Sequence, residues 1–214
     1  MGYPDKCDFC VKEALTAVAF TGNLELSVQP FIGTSPLVMI VGQDPTLTRR
    51  DVDTVLELNK PHSRLYRYLV GEILEPAGID LAKDIYATNL IKCRFPKNET
   101  PRVIAENRKE SLRDFLHLFF QNCKQWFAEE VKEIRPRIVL VLGQPVHQML
   151  VGEWLLSVPF MMKDGFGNVY PVNLCDHKTI HTPCIHYNSR GHRYYKNLWS
   201  QFVDNLARTV DKAE

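Results

Sequence analysis

The sequence lacks the long apolar runs that membrane-spanning segments need. No stretch approaches the roughly 20 consecutive apolar residues required to cross a bilayer, and residues 1–7 lack the apolar core of a secretory signal. We therefore expect a cytoplasmic protein that does not contact a membrane. Internal repeats, low-complexity segments and obvious linkers are also missing, which favours one domain over residues 1–214.

An excess of either charge is missing as well. The chain has 26 Lys and Arg residues against 25 Asp and Glu residues, for a formal net charge of +1. Such a balance gives no global attraction to nucleic acid, so that any binding of this kind must come from a local basic patch. The hydrophobic fraction of 45% and charged fraction of 24% are typical of a globular protein.

Regularly spaced cysteines are absent too. The six cysteines are irregularly placed, and without an export signal they indicate metal ligands or buried thiols rather than disulfides. The Cys7-x2-Cys10 spacing lets two thiolates bind one metal, and Cys93 with Cys123 could complete a four-thiolate site. Spacing alone does not separate zinc from an iron-sulfur cluster. We assign Cys175 and Cys184 to packing.

What the sequence does contain is an alternation of short apolar runs with longer stretches of helical periodicity. This pattern predicts an α/β protein with parallel strands joined by helices. The predicted strands cover residues 36–41, 85–91, 138–142 and 179–183, with an extra strand over 169–174. The predicted helices cover residues 63–77, 111–134, 145–150 and 194–208.

Polar groups follow three of the predicted strands. Asp44, Asn89 and His181 each lie at a strand end, and ligands of open parallel sheets bind beyond the carboxyl ends of the strands. Asp44 could hold a water molecule or cap a turn, and Asn89 could recognise a ligand edge or bond to a neighbouring loop. His181 could be catalytic or structural.

Basic residues follow two of the same strands. Each set fits a solvated surface, but together they predict a phosphate-binding rim at one sheet edge. The residues are Lys92, Arg94, Lys97, Arg102, Arg190, His192, Arg193 and Lys196.

The segment from Thr88 to Pro101, TNLIKCRFPKNETP, closely matches the pattern T-N-x-x-K-C-R-P-P-x-N-R-x-P. With Gly42-Gln43-Asp44-Pro45, the Ile134-Arg135-Pro136 entry to a strand and His181-Thr182-Pro183, it resembles the uracil-DNA glycosylase superfamily. The similarity is greatest to the iron-sulfur type called family 4, whereas the GQDP segment looks like that of family 1.

The resemblance implies a three-layer α/β/α fold around a mainly parallel four-stranded sheet. It implies a monomeric DNA glycosylase that removes uracil, or a related deaminated base, from DNA in base-excision repair. Asp44 would stabilise the cationic sugar and position water, Asn89 would read the base, and His181 would donate to a base oxygen.

The resemblance also assigns the remaining site residues. Base contacts would come from Gly42, Gln43, Thr46 and Leu58, DNA contacts from Lys92 and Arg94, and a wedge into the base stack from Ile185. Of the basic rim described above, Arg190 and Arg193 are the further candidates for DNA contact. A 4Fe-4S cluster would be held by Cys7, Cys10, Cys93 and Cys123, the first two in an N-terminal extension over residues 1–35.

Two substitutions keep other functions open. Thr46 and Leu58 stand where relatives carry aromatic residues, which leaves a catalytically weak iron-sulfur nucleic-acid-binding protein as the alternative. A zinc-bearing nucleotide-binding module is a third hypothesis.

Overall fold

A six-stranded mixed sheet forms the centre of the protein. The computed structural model describes residues 29–43, 54–92, 95, 100–189 and 193–212. The strands are β1 (Phe31–Ile32), β2 (Val38–Gly42), β3 (Ile85–Asn89), β4 (Ile138–Leu142), β5 (Tyr170–Leu174) and β6 (His177–Cys184). Their order is β1-β3-β2-β4-β6-β5.

The four predicted strands form the parallel centre of this sheet, as β3, β2, β4 and β6. The α/β class is thus confirmed. Two antiparallel edge strands, β1 and β5, extend the sheet beyond the four strands expected. The two-residue β1 is too short to give a periodic signal, whereas β5 matches the extra strand predicted over residues 169–174.

The four predicted helical stretches are present with shifted ends, and three further helices, over residues 81–84, 101–108 and 162–165, were not predicted. They are α1 (Arg64–Tyr66), which continues into a π-helical segment (Arg67–Leu74), α2 (Leu81–Asp84), α3 (Pro101–Arg108), α4 (Leu112–Ile134), α5 (Gln144–Glu153), α6 (Met162–Gly165) and α7 (Arg193–Asp211). Helix α4 is one continuous helix. It begins after Ser111, whose side chain accepts a hydrogen bond from the Asp114 backbone N–H, and ends at the left-handed Arg135.

Apolar side chains cover both faces of the sheet. Along β2, Met39 and Val41 face one core, which α4 and α5 complete. Val38 and Ile40 face a second core, which the π-helical segment and α7 complete. Because neighbouring side chains of a strand point to opposite faces, a fully apolar strand such as β2 is buried between two helical layers. This is the three-layer α/β/α arrangement.

The parallel strands bring four carboxyl ends to one edge of the sheet. β2 ends at Gly42, β3 at Asn89, β4 at Leu142 and β6 at Cys184. A further turn, Val55–Glu57, lies beside this edge as a short 3-10 helix. Within the part of the chain that the structure describes, no helix has the length and apolar character needed to cross a membrane.

Candidate active site

A cleft of about 660 Å³ opens at the carboxyl edge of the sheet. Its walls come from the ends of β2, β4 and β6, the start of α5 and the Val55–Glu57 turn, and include Gly42, Gln43, Leu56, Gly143, Ile185 and His186. The structure therefore places Gly42 and Gln43 where the sequence predicts, at the position that ligands of parallel α/β sheets occupy.

Asn89 lies directly behind Gly42. The two residues are partners in the β2–β3 register, and a Cβ atom on Gly42 would collide with the Asn89 Oδ1 atom. The missing side chain at Gly42 thus leaves the carboxamide a place beside the cleft wall. Asn89 is 3% exposed, and its Oδ1 accepts no hydrogen bond from any residue the structure describes. A buried acceptor in this state is costly unless a ligand satisfies it.

Leu56, rather than the predicted Leu58, lines the cleft. Leu58 is 2% exposed and belongs to the core under the π-helical segment. Leu56 has a left-handed backbone with φ of 59°, and its Cδ2 atom lies 2.8 Å from where a Cβ of Gly42 would be. Such a conformation costs a non-glycine residue roughly 1–2 kcal/mol, and here it turns the leucine side chain toward Gly42.

His181 lies inside the sheet, away from the cleft. The strand β6 continues to Cys184, three residues beyond His181, and the imidazole is completely buried. Its Nε2 atom is 3.1 Å from the Nδ1 atom of His147 on α5, and the rings stack with centroids 5.2 Å apart. The structure therefore does not place His181 at the end of the strand, where the sequence analysis placed it, because β6 stays paired with β4 as far as Cys184.

The His147–His181 pair has one consistent arrangement of protons. His147 Nε2 donates to the Pro159 carbonyl at 2.8 Å, so its Nδ1 atom accepts from His181 Nε2–H. The His181 Nδ1 atom then lacks a partner among the described residues. Burial, together with the neighbouring His147, lowers the pKa of His181 to about 3. Both rings are therefore neutral at neutral pH.

His186 is the histidine that the fold brings to the cleft. It lies two residues after the end of β6 and lines the cleft wall. The Asn188 backbone N–H donates to its Nδ1 atom at 3.4 Å, so in the neutral ring the proton is on Nε2. Burial lowers the pKa of His186. A neutral imidazole with an Nε2–H donor results. The signal in the sequence that could have identified His186 is its position as the first histidine after the segment from Ile180 to Ile185.

Lys92 is buried, contrary to its predicted role in DNA contact. Its side chain is 7% exposed, and its ammonium lies 2.7 Å from both the Glu130 carboxylate on α4 and the Thr88 hydroxyl on β3. Burial lowers the pKa of Lys92, and the neighbouring Glu130 carboxylate only partly offsets this effect. This ion pair ties the residues after β3 to α4. It offers no exposed cation for a phosphate.

Cys123 is the predicted metal ligand that the structure describes. Its side chain is fully buried on α4, and its sulfur accepts a hydrogen bond from the backbone N–H of Lys92 at 3.4 Å. Phe95 packs against Phe115 and Phe119 of the same helix. Lys92 and Phe95 flank positions 93 and 94 in the sequence, so α4 contacts both ends of the segment that carries Cys93. Within the described residues, no three potential ligands cluster as a metal site.

The other predicted site residues divide into two groups. Ile185 lines the cleft but is 1% exposed, so it forms part of the wall and not a surface wedge. Arg193 is the first residue of α7. Outside the described residues lie Asp44, Thr46, Arg94, Arg190, Cys7, Cys10 and Cys93.

The cleft favours negative charge. Gly143, with φ of 95°, precedes the ten-residue helix α5, and the first helical residues Gln144 and Pro145 line the cleft. The amino end of a helix carries partial positive charge from unpaired backbone N–H groups. Arg102 of α3 adds a cationic side chain to the same wall.

The sheet order and the cleft beyond its carboxyl edge define a three-layer α/β protein with a candidate ligand site at the ends of its parallel strands. The chain belongs to the uracil DNA glycosylase superfamily, whose family model matches residues 30–205.

The chain is similar to two proteins named Type-4 uracil-DNA glycosylase. The protein from Pyrobaculum aerophilum is 27% identical over 139 residues, which cover 64% of this chain and 55% of the relative. The protein from Saccharolobus solfataricus is 26% identical over 183 residues, which cover 85% of this chain and 70% of the relative. This chain thus matches little more than half the length of the first relative.

Proposed function

We propose that this protein hydrolyses the N-glycosidic bond of uracil, or of a related deaminated base, in DNA during base-excision repair. The observation that carries the proposal is the buried Asn89 carboxamide, held behind Gly42 with its Oδ1 acceptor unsatisfied within the described part of the chain. Membership of the uracil DNA glycosylase superfamily and the names of the two relatives support it.

Base recognition follows from the chemistry of a carboxamide. The Oδ1 atom of Asn89 accepts the N3–H of uracil, and the side-chain NH2 donates to O4. Cytosine presents an acceptor at N3 and a donor at N4, which is the reverse pattern. Because Asn89 is buried, a cytosine in this position would leave groups mismatched away from water, at a cost of roughly 1–3 kcal/mol for each group.

Departure of the base requires stabilisation of its negative charge. As the glycosidic bond lengthens, the base becomes anionic and the sugar cationic. His186 offers an Nε2–H donor from a neutral ring, and the amino end of α5 contributes positive potential to the same cleft. We therefore assign the base-facing role to His186 in place of His181.

The cationic sugar and the attacking water need a carboxylate. Asp44 follows Gln43, which lines the cleft, and it is our candidate for stabilising the sugar and positioning the water. Arg94, Arg190 and Arg193 are our candidates for phosphate contacts that offset the cost of flipping the nucleotide, a few kcal/mol. Thr46 is our candidate for the wall beside the base, and its small size favours a broader range of damaged bases.

We also propose that Cys7, Cys10, Cys93 and Cys123 hold a 4Fe-4S cluster. The buried Cys123 sulfur with its backbone N–H donor fits a cluster ligand, since such hydrogen bonds are typical of Fe–S sulfurs. The cluster would hold the segment after β3 against α4 and the N-terminal segment. Zinc bound to the same four thiolates is the alternative cofactor.

Single-turnover excision from labelled oligonucleotides tests the proposed function. Single- and double-stranded substrates carrying uracil, hypoxanthine or xanthine are compared for the wild type and for Asn89→Leu, His186→Leu and His181→Gln. We expect losses of about 100-fold or more for Asn89→Leu and His186→Leu, and little change for His181→Gln. Wild-type protein that binds these DNAs but releases no base would instead support the non-catalytic DNA-binding alternative.

A further inference from the structure

A second concavity, of about 1000 Å³, lies at the opposite edge of the sheet. Its walls come from the amino ends of β4 and β6, the β5 strand and the last turns of α7. The first cleft lies beyond the carboxyl ends of the same strands. The five residues of β4 separate the two edges by roughly 16 Å, so this groove is distinct from the candidate active site.

Every charged residue that lines the groove is a cation. Arg137 precedes β4, Lys178 lies on β6, Arg208 lies in the last turn of α7, and Lys212 directly follows that helix. All four are exposed, and within the described residues none of them forms an ion pair. Like charges four residues apart at a helix end, such as Arg208 and Lys212, repel one another, and a bound anion relieves that repulsion.

The helix dipole explains only part of this arrangement. Arg208 and Lys212 lie at the carboxyl end of α7, where cations stabilise the helix. Arg137 and Lys178 belong to other elements. Lys178 shares a face of β6 with Ile180, which hydrogen-bonds the Arg137 carbonyl through its backbone N–H at 3.0 Å. The fold itself thus gathers the four cations around one groove.

The lining between the cations is mainly apolar, with amide groups at the side. Val169, Pro171 and Ile180 supply the apolar wall, and Asn173 a side-chain amide. A concave surface with apolar walls and convergent cations matches a ligand that has both a flat ring and phosphate groups.

We propose that this groove binds phosphate groups carried on nucleosides, either in a free nucleotide or in a nucleic-acid strand. The proposal is independent of the glycosylase activity, because it uses no residue of the candidate active site. A site of this kind gives the protein a second anchor on the face remote from the cleft where the base is proposed to be cut.

Fluorescence anisotropy with two probes tests the proposal. One probe is a fluorescently labelled adenosine triphosphate, and the other is a labelled single strand without uracil. Lys178→Gln/Arg208→Gln is compared with Lys83→Gln/Lys132→Gln, which removes the same charge from exposed positions outside the groove. We expect the groove variant to bind at least one probe about tenfold more weakly at low salt, with the control unchanged.

The two probes separate the sources of phosphate. Weaker triphosphate binding alone identifies a nucleotide site, whereas weaker strand binding with a shallower salt dependence identifies a nucleic-acid contact. Backbone amide shifts at residues 172–180 and 205–212 on titration with the triphosphate, or with the strand, would locate the ligand. Equal affinity of both variants for both probes, with no shifts in those segments, would overturn the proposal.

Discussion

Gly42 and Asn89 are paired across β2 and β3 so closely that a methyl group on Gly42 would collide with the Asn89 Oδ1 atom. We predict that Gly42→Ala lowers uracil excision by about 100-fold, because the carboxamide must move by about 1 Å from its position beside the cleft. Single-turnover rates on uracil-containing DNA measure this effect, and circular dichroism verifies that the variant is folded.

The matched control is Gly71→Ala. Gly71 lies in the π-helical segment, and a Cβ there meets no atom within 4 Å. We expect unchanged excision and a stability that is equal or higher by up to about 1 kcal/mol. Wild-type activity of Gly42→Ala would show that the position of Asn89 does not govern base recognition.

The sequence predicted the layers of this fold better than the residues of its cleft. Apolar runs such as residues 138–142 identify buried parallel strands, and Ser111 marks the start of α4, because both signals are local. Whether a histidine lies within a strand or after it depends on where pairing stops. β6 stays paired with β4 as far as Cys184, which moves the cleft position from His181 to His186.

Contacts between residues far apart in the sequence were the second reason why the sequence analysis misplaced site residues. Lys92 looks like a surface cation beside other basic residues, but its carboxylate partner Glu130 lies 38 positions away on α4. No local pattern reveals such a contact. The sequence also does not show which of Leu56 and Leu58 faces the cleft, because the left-handed backbone at Leu56 decides this.

The buried Lys92–Glu130 ion pair should contribute to stability and not to DNA affinity. We predict that Lys92→Met lowers the free energy of unfolding by about 3–5 kcal/mol, because the Glu130 carboxylate remains buried without its ammonium partner. The double variant Lys92→Met/Glu130→Leu should recover most of this loss and bind DNA like the wild type. Urea denaturation and DNA binding are the measurements.

The half-exposed pair Lys124–Glu153 serves as the comparison. Its side chains are 36% and 26% exposed at a distance of 2.7 Å, so Lys124→Met should cost less than about 1 kcal/mol. Markedly weaker DNA binding by the stable double variant would restore Lys92 as a DNA-contact residue.

Cys123 should differ from the other buried cysteines in its effect on metal content. We predict that Cys123→Ser lowers the iron content and visible absorbance of protein purified without oxygen, because one of four thiolate ligands is lost. Cys175→Ser should retain both, since burial raises the pKa of Cys175 to about 12 and leaves an inert thiol. A colourless wild type containing zinc would point to the alternative metal, and equal iron in both variants would exclude Cys123 as a ligand.

His181 should make the fold sensitive to acid. Its folded-state pKa is lowered to about 3, so between its ordinary pKa of about 6.5 and that value the unfolded chain binds a proton that the native protein does not. The contribution of His181 to the free energy of unfolding is therefore fully present above the ordinary pKa and is lost as the pH drops. Between about pH 7.5 and pH 5 the loss from this group is about 2 kcal/mol.

The variant His181→Gln tests this prediction, because glutamine keeps a donor toward His147 and does not titrate. Urea denaturation of this variant should show a pH dependence of the free energy of unfolding that is smaller by that amount. The exposed His117→Gln should leave the dependence unchanged; a slope shared by all three proteins would show that His181 is not its source.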